Sequence, residues 1–326
     1  MELTDIFGTL GPACEDVHVL SEMFRNGMTG IRLNLSHETL VDAALRLRHL
    51  HEAERLTGIK SKLLVDLQGP ELRIGDLAEP LLLKDGALVS IPGEIPFPQI
   101  LLDALKEGYQ LLLDDGKLLL QVQDSSRAIV IRGGLLTGRK SIAVPQLELD
   151  PPALTEEDLD NLSHLREFGV TGVMQPFVRG GDDLRMLRRA LRDTGNEHIR
   201  IYAKIENQRG INHLSEILPE ADEIVIARGD LGSAMPLWEL PAAQKHISAM
   251  CRKVGKPFMV VTEMLASMER NPVPTRAEVS DIFNAIADGA SSVMLTGETA
   301  VGDYPADSIH YLAETVCAAH RYLGEQ

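Results

Sequence analysis

A chain of 326 residues with 44% hydrophobic residues has the material for a large core, and its formal charge of −16 argues against nucleic acid as a partner, because phosphate backbones are held by dense Lys and Arg surfaces. Aromatics make up only 4%, so the core must be aliphatic, which suits a parallel sheet buried on both faces. Cys14, Cys251 and Cys317 lack Cys-x-x-Cys spacing, the opening Met1-Glu2-Leu3-Thr4-Asp5 lacks a secretory pattern, and no apolar run nears the roughly 20 residues that span a bilayer. The expectation is a cytoplasmic protein with free thiols and no membrane partner.

Short aliphatic runs alternate with longer amphipathic stretches, as repeated strand–helix units do. In chain order the runs predict strands at residues 5–10, 30–35, 62–67, 170–176, 200–205, 223–227, 257–262 and 291–296. Gly27 and Gly58 end the first two intervening helices. Thr155-Glu156-Glu157-Asp158 reads as the capping-box start of another, with Leu159, Leu162 and Leu165 as its apolar face and Gly169 as its stop. Eight parallel strands with helical crossovers close into an α/β TIM (β/α)8 barrel with no open edge. An open doubly wound sheet is the alternative.

The interval after the third strand is too long for one crossover. It carries short runs at 81–83, 87–91, 110–113, 118–122 and 128–131, punctuated by Asp85-Gly86, Asp115-Gly116 and Gly133-Gly134 as hairpin turns would be. The prediction is a β-rich domain at residues 72–144 inserted into a barrel formed by 1–71 and 145–326. Removing these roughly 75 residues leaves roughly 250, the usual size of a lone barrel. An insertion at the C-terminal end of a strand overhangs the catalytic face, and a lid is its natural role.

Polar residues crowd the predicted strand ends. Arg32-Leu33-Asn34-Leu35-Ser36-His37 closes the second run, Asp66-Leu67-Gln68-Gly69 the third, Lys204-Ile205-Glu206-Asn207 the fifth and Arg228-Gly229-Asp230 the sixth. Thr262-Glu263-Met264 closes the seventh and Thr296-Gly297-Glu298-Thr299 the eighth. Charged residues placed there point into the catalytic mouth. Glu206 and Asp230, at successive strand ends, can share one hard cation such as magnesium, which takes its other ligands from substrate or water. Lys204 lies two residues before Glu206, so strand alternation aims both the same way. An ammonium beside a metal and an anionic oxygen suits phosphoryl transfer or enolate chemistry. A structural ion pair inside the barrel is the plainer reading of Lys204 and Glu206. The histidines show no metal-ligand spacing, and no Gly-x4-Gly-Lys-Ser/Thr loop is present.

These strand ends, in this order, resemble the pyruvate kinase family. The resemblance also takes in Gly11-Pro12-Ala13, Gly69-Pro70-Glu71-Leu72-Arg73, Phe177-Val178-Arg179, Pro274-Thr275-Arg276-Ala277-Glu278 and Gly297-Glu298-Thr299-Ala300. It implies a small-molecule phosphotransferase moving phosphoryl from phosphoenolpyruvate to ADP, dependent on Mg²⁺ (or Mn²⁺) and K⁺. Glu206 and Asp230 would hold Mg²⁺, and Lys204 would neutralise the phosphoryl group in flight. Thr262 would help protonate the enolate beside the substrate carboxylate, which the amides of Gly229 and Asp230 would bind. Asn34, Ser36, Asp66 and the Leu67 carbonyl resemble the potassium site, with Glu71 the residue tied to that requirement. Arg32, Pro12, Asn34, His37 and Arg73 fall where the nucleotide binds, and Arg139 and Lys140 resemble the lid's contact to its phosphates. The family also assembles through its barrels, so a homo-oligomer is an expectation.

The sequence departs from the family pattern in several places. After Pro305 only one helix remains, so the resemblance implies a short form without the C-terminal regulatory domain and its activator site, and with a reduced lid. Asp5 and Gln68 stand where lysines are usual, Leu67 where threonine is, Glu263 where glutamine is, and Thr296 where serine is. Two lost lysines and a gained glutamate would make the mouth less positive, each shifting anion affinity by ~1 kcal/mol or more at close range. A metal-dependent 2-oxoacid lyase or decarboxylase, or a non-catalytic ligand-binding homologue, therefore stays open as an alternative.

Overall fold

The structure, a computed structural model, describes residues 4–324 apart from 37, 115, 146, 148 and 149. The chain divides into two compact units, residues 1–69 with 153–326, and residues 70–152.

In the first unit the strands are β1 (Asp5–Thr9), β2 (Gly30–Asn34) and β3 (Lys62–Asp66) before the second unit begins. Seven strands of the second unit follow as β4 to β10. The first unit then resumes with β11 (Gly172–Gln175), β12 (Arg200–Ile205), β13 (Glu223–Ala227), β14 (Phe258–Val261) and β15 (Ser292–Met294). These eight parallel strands close into a barrel in the order β1-β15-β14-β13-β12-β11-β3-β2. The predicted barrel is thus observed; β12 and β13 have the predicted bounds and the other six strands are shorter by one to three residues.

Alternation along the strands separates two apolar layers. Phe7, Leu64, Met174, Tyr202, Val225, Ala227, Met259, Val261 and Met294 fill the barrel interior. Gly30 and Gly172 leave space for the two rings, since a Cβ at either would lie 2.2 Å from Phe7 or 2.6 Å from Tyr202. The opposite faces of the strands meet the surrounding helices in a continuous layer of buried Leu, Ile and Val, each contributing roughly 1.5–3 kcal/mol by leaving water. Helix starts follow their capping residues. Thr155 accepts from the Asp158 amide and Asp158 reaches back to Thr155, and Thr275 with Glu278 does the same before Arg276–Ala287. One detail differs from the sequence reading: Leu159 is 47% exposed, while Leu162 and Leu165 are buried. The helix Glu156–His164 is short, and Leu159 falls on its outer side.

Asp5 also corrects an expectation. It opens β1, and so lies at the N-terminal end of the barrel. There it pairs with Lys62, the first residue of β3, and accepts from Thr29 Oγ1 at 3.1 Å. It has no part in the charge of the opposite, C-terminal mouth, where Gln68 and Glu263 remain.

Among its described residues the second unit is all-β apart from one turn of helix, Gln99–Leu102. Its strands are β4 (Leu81–Leu83), β5 (Leu88–Ser90), β6 (Gln110–Leu113), β7 (Leu118–Asp124), β8 (Arg127–Arg132), β9 (Gly134–Leu136) and β10 (Ile142–Ala143). They form a sheet in the order β10-β6-β7-β8-β5 and a separate pair β4-β9. The core is built on Leu111, Leu113, Leu120, Val122 and Val130. Of the predicted hairpin turns only the one at Gly116, which takes positive φ, joins strands that pair, β6 and β7. Gly86, also at positive φ, lies between β4 and β5, which pair with β9 and β8 instead. Gly134 falls inside β9 opposite Leu83, so the chain there passes from one sheet to the other. Asp115 lies outside the described residues. Among the described residues no helix is long and apolar enough to cross a membrane.

Candidate active site

At the C-terminal ends of the barrel strands, side chains of alternating charge form a chain. Arg32, from β2, donates through Nε at 2.8 Å to Asp66 Oδ2 on β3, with Nη2 2.7 Å from the same oxygen. Lys204 Nζ, from β12, donates to that oxygen at 3.0 Å and lies 3.0 Å from Glu206 Oε1. Asp66 and Glu206 are 1% and 2% exposed. Charges this deep persist only when paired, since solvation is lost.

Burial and pairing compete at each member. Burial disfavours the charged Lys204, but Asp66 and Glu206 more than offset it, so its pKa is raised and it stays an ammonium. Burial likewise works against charge on Asp66, yet Lys204 and Arg32 hold its carboxyl below the usual carboxylate range. Glu206 goes the other way. Burial pushes it up to about 7, with Asp230 and Asp66 adding to the effect and Lys204 opposing it. Its Oε2 accepts the Phe177 amide at 2.7 Å, which Phe177 presents from a left-handed conformation of φ 50°. Its Oε1 is the oxygen that Lys204 touches, whereas Asp66 Oδ1 is buried without a hydrogen-bond partner. Asp66 Oδ1 is thus an open acceptor on β3, abreast of Asn34, in a place where buried polar atoms are otherwise satisfied.

Among the described residues no group of three or more His, Cys, Asp or Glu is arranged to hold a metal. Glu206 is buried, whereas Asp230, whose charge acts on it, is exposed. Asp230 lies in the short helix Arg228–Ser233 that follows β13. Beside β3, Asn34 and Asp66 sit abreast in register, and Asn34 Oδ1 accepts the Ser36 amide at 3.2 Å. Leu67 follows directly, its own amide bonded to Met174 O at 3.1 Å.

Across the mouth, Thr262 directly follows β14 with φ 79°, and Glu263 comes next with φ 54°. A left-handed backbone is costly for a β-branched residue, about 1–3 kcal/mol at such sites. Gly229 lies against Thr262, and a Cβ there would meet Thr262 Cγ2 at 3.0 Å. The Gly11-Pro12 loop packs on the Gly297–Ala300 turn. A Gly11 Cβ would fall 2.5 Å from the Ala300 carbonyl oxygen, and the Ala13 amide donates to that oxygen at 3.0 Å. Pro12 itself is exposed.

The remaining candidates belong to the second unit. Arg73 pairs with Glu71 and donates to the Arg139 carbonyl at 2.9 Å, Arg139 contacts Asp76 at 2.9 Å, and Lys140 contacts Asp114 at 2.8 Å. His37 lies outside the described residues. The first unit therefore gathers Arg32, Asp66, Lys204 and Glu206 in one connected set, with Asp230 coupled to it through charge and Thr262 beside Gly229.

Three contributors had no assigned role in the sequence reading. Phe177 supplies an amide to Glu206. Glu298 is 1% exposed, accepting from the Leu265 amide at 2.9 Å and the Thr296 amide at 2.7 Å. Arg228 donates to the Thr262 carbonyl and to Asp281. Phe177 and Glu298 sit inside signature segments, so their positions were visible. The partner of Arg228 is far along the chain, and no local signal points to it.

Comparison with known proteins agrees with this geometry. A family model described as pyruvate kinase, barrel domain, matches residues 1–309. A pyruvate kinase of Geobacillus stearothermophilus is 38% identical over 94% of this chain and 55% of its own length. One from Staphylococcus saprophyticus is 35% identical over 98% of this chain and 57% of its own length. One from Aeropyrum pernix is 37% identical over 98% of this chain and 71% of its own length. The chain thus spans little more than half the length of the first two.

Proposed function

The chain belongs to the pyruvate kinase family, and from that premise we propose that it transfers the phosphoryl group of phosphoenolpyruvate to ADP, giving pyruvate and ATP, with Mg²⁺ (or Mn²⁺) and K⁺. The observation that carries the proposal is Lys204. It is a buried ammonium set between two carboxylates, Asp66 and Glu206, whose charges raise its pKa.

Glu206 and Asp230 would hold the divalent cation, and Asn34, Ser36, Asp66 and the Leu67 carbonyl the potassium. The buried carboxylates of Glu206 and Asp66, the latter with an unpartnered Oδ1, fit such occupants. When bound, the divalent ion supplies positive charge and a template for the phosphoryl oxygens. Lys204 adds a fixed charge where negative charge spreads over the transferring group, and it needs no reorganisation because Asp66 and Glu206 already hold it. The bond from phosphorus to the enol oxygen breaks as a bond to a terminal oxygen of ADP forms. The amides of Gly229 and Asp230 bind the substrate carboxylate. The enolate left behind takes a proton at its methylene carbon, a step that the Thr262 hydroxyl assists. Arg32, held against Asp66, adds charge at the nucleotide side. Pro12, Asn34 and His37 on the first unit, with Arg73, Arg139 and Lys140 of the second, are the proposed nucleotide contacts, and the second unit is the proposed lid. A cytoplasmic setting and assembly into homo-oligomers come with the same family likeness.

The test is turnover. Purified protein with phosphoenolpyruvate, ADP, Mg²⁺ and K⁺ should form ATP, and Lys204→Met should form roughly 10²- to 10³-fold less, the scale lost when one transition-state charge contact is removed. Folded wild-type protein that makes no ATP but releases pyruvate from oxaloacetate without ADP would shift the assignment to an enolate lyase.

A further inference from the structure

The Thr262-Glu263 turn combines two consecutive left-handed residues, neither of them glycine, at the end of a barrel strand. Such a turn persists only where its surroundings over-determine it. Arg228 forks onto it. Nε donates to the Thr262 carbonyl oxygen at 3.1 Å and Nη2 to the same oxygen at 2.8 Å. Nη1 donates to Asp281 Oδ2 at 2.6 Å, and Nη2 lies 3.1 Å from Met264 Sδ. The Arg228 side chain is 11% exposed, so little water competes for these bonds. The captured carbonyl belongs to the peptide plane between residues 262 and 263. Fixing that plane sets ψ of Thr262 and φ of Glu263 together. Further along, Glu298 holds the Leu265 amide at 2.9 Å, so the loop is tied at both ends. On its other side Thr262 leans against Gly229, the residue next to Arg228.

We infer that Arg228 is a positioning residue: its guanidinium, anchored by Asp281, holds the Thr262-Glu263 turn in its left-handed form and so aims the Thr262 hydroxyl at the carbon that is protonated. The aim at the enolate rests on the function proposed above, whereas the hold on the turn stands on the geometry alone. Lysine is a poor substitute, because a single ammonium does not reproduce a planar fork with a third donor left for Asp281. Asp281, on the helix Arg276–Ala287, acts on the turn only through Arg228.

The experiment compares wild type, Arg228→Met, Arg228→Lys, Asp281→Asn and the pair Arg228→Met with Glu263→Gly. In Arg228→Met, kcat should fall about 100-fold, the usual effect of misplacing a reacting group by an ångström, with the KM for phosphoenolpyruvate within about threefold. Exchange of the pyruvate methyl protons with solvent deuterium, followed by NMR, should fall in proportion. Arg228→Lys should recover little. Adding Glu263→Gly should recover part of both rates, since glycine takes positive φ without strain. Crystal structures should show the 262–263 peptide turned and Glu263 at negative φ in Arg228→Met. A turn that stays left-handed without the guanidinium, or exchange at the wild-type rate, overturns the inference. Should Arg228→Met not fold, Asp281→Asn at the one-third exposed carboxylate serves for the same comparisons. Inactive wild type would sink the phosphotransferase reading, and the crystal comparison would still decide the role of Arg228.

Discussion

Asp66 and Lys204 meet at 3.0 Å although a whole strand, β11, separates β3 from β12 in the barrel. Their side chains bridge the mouth, and Lys204 has a second carboxylate, Glu206, on its other side. This ammonium is therefore part of the fold as much as of the chemistry. Lys204→Met should lower stability by about 3 kcal/mol, because removing one partner leaves buried carboxylates uncompensated. The loss should be larger at pH 8 than at pH 6, since Glu206 is pushed up to about 7 and sheds its charge by taking a proton at the lower pH. Urea unfolding of wild type and variant at the two pH values measures both effects, and equal losses would count against the charge argument.

Proton and metal should compete for Glu206. A carboxyl raised to about 7 is charged above that pH and neutral below it. Mg²⁺ affinity of the protein alone should therefore fall by up to about tenfold per unit below pH 7 and level off above roughly pH 8. Calorimetric titration at several pH values reads this. Glu206→Gln should bind Mg²⁺ about tenfold or more weakly, with the pH slope gone.

Gly11 tests how closely two signature segments approach. A Cβ there would lie 2.5 Å from the Ala300 carbonyl oxygen and 2.7 Å from its Cα, both backbone atoms that cannot swing away. Gly11→Ala should cost about 1–3 kcal/mol through forced backbone movement, read as a lower Tm. It should also raise the KM for ADP, because Pro12 moves with it.

The cysteines should separate by reactivity. Burial pushes the Cys14 thiol up to about 11 and the Cys251 thiol up to about 12, while Cys317 is exposed. Ellman's reagent at pH 8 should label one thiol of the folded chain quickly, and all three after unfolding.

The barrel was legible because parallel strands buried on both faces are written as unbroken aliphatic runs, such as Glu223–Ala227, whose bounds coincide with the prediction. The glycines of the second unit marked where its runs break, but only at Gly116 do the flanking strands pair, because pairing partners elsewhere are distant in sequence. β9 and β10 were missed because they are three and two residues long and pair with distant partners. The mouth was readable residue by residue, since strand ends deliver polar groups there. The backbone state of Thr262 was not, because nothing in a β-branched residue announces a positive φ. Nor was the Arg228–Asp281 pair, which closure of the barrel brings together. The place of Asp5 was not legible from the charge balance, because a charge bears on the mouth only at the far end of its strand and Asp5 opens β1.

Asp158 takes the Gln68 and Gly69 amides at 2.9 and 3.0 Å while capping its own helix through the Thr155 amide at 2.8 Å. It thereby knots the outgoing and returning stretches of polypeptide to one spot on the barrel rim. A segment that leaves and re-enters through a knotted doorway is a detachable module. A short glycine-serine bridge in its place should leave a cylinder able to fold unaided, and inserts of other sizes can be exchanged there without disturbing the strands beneath.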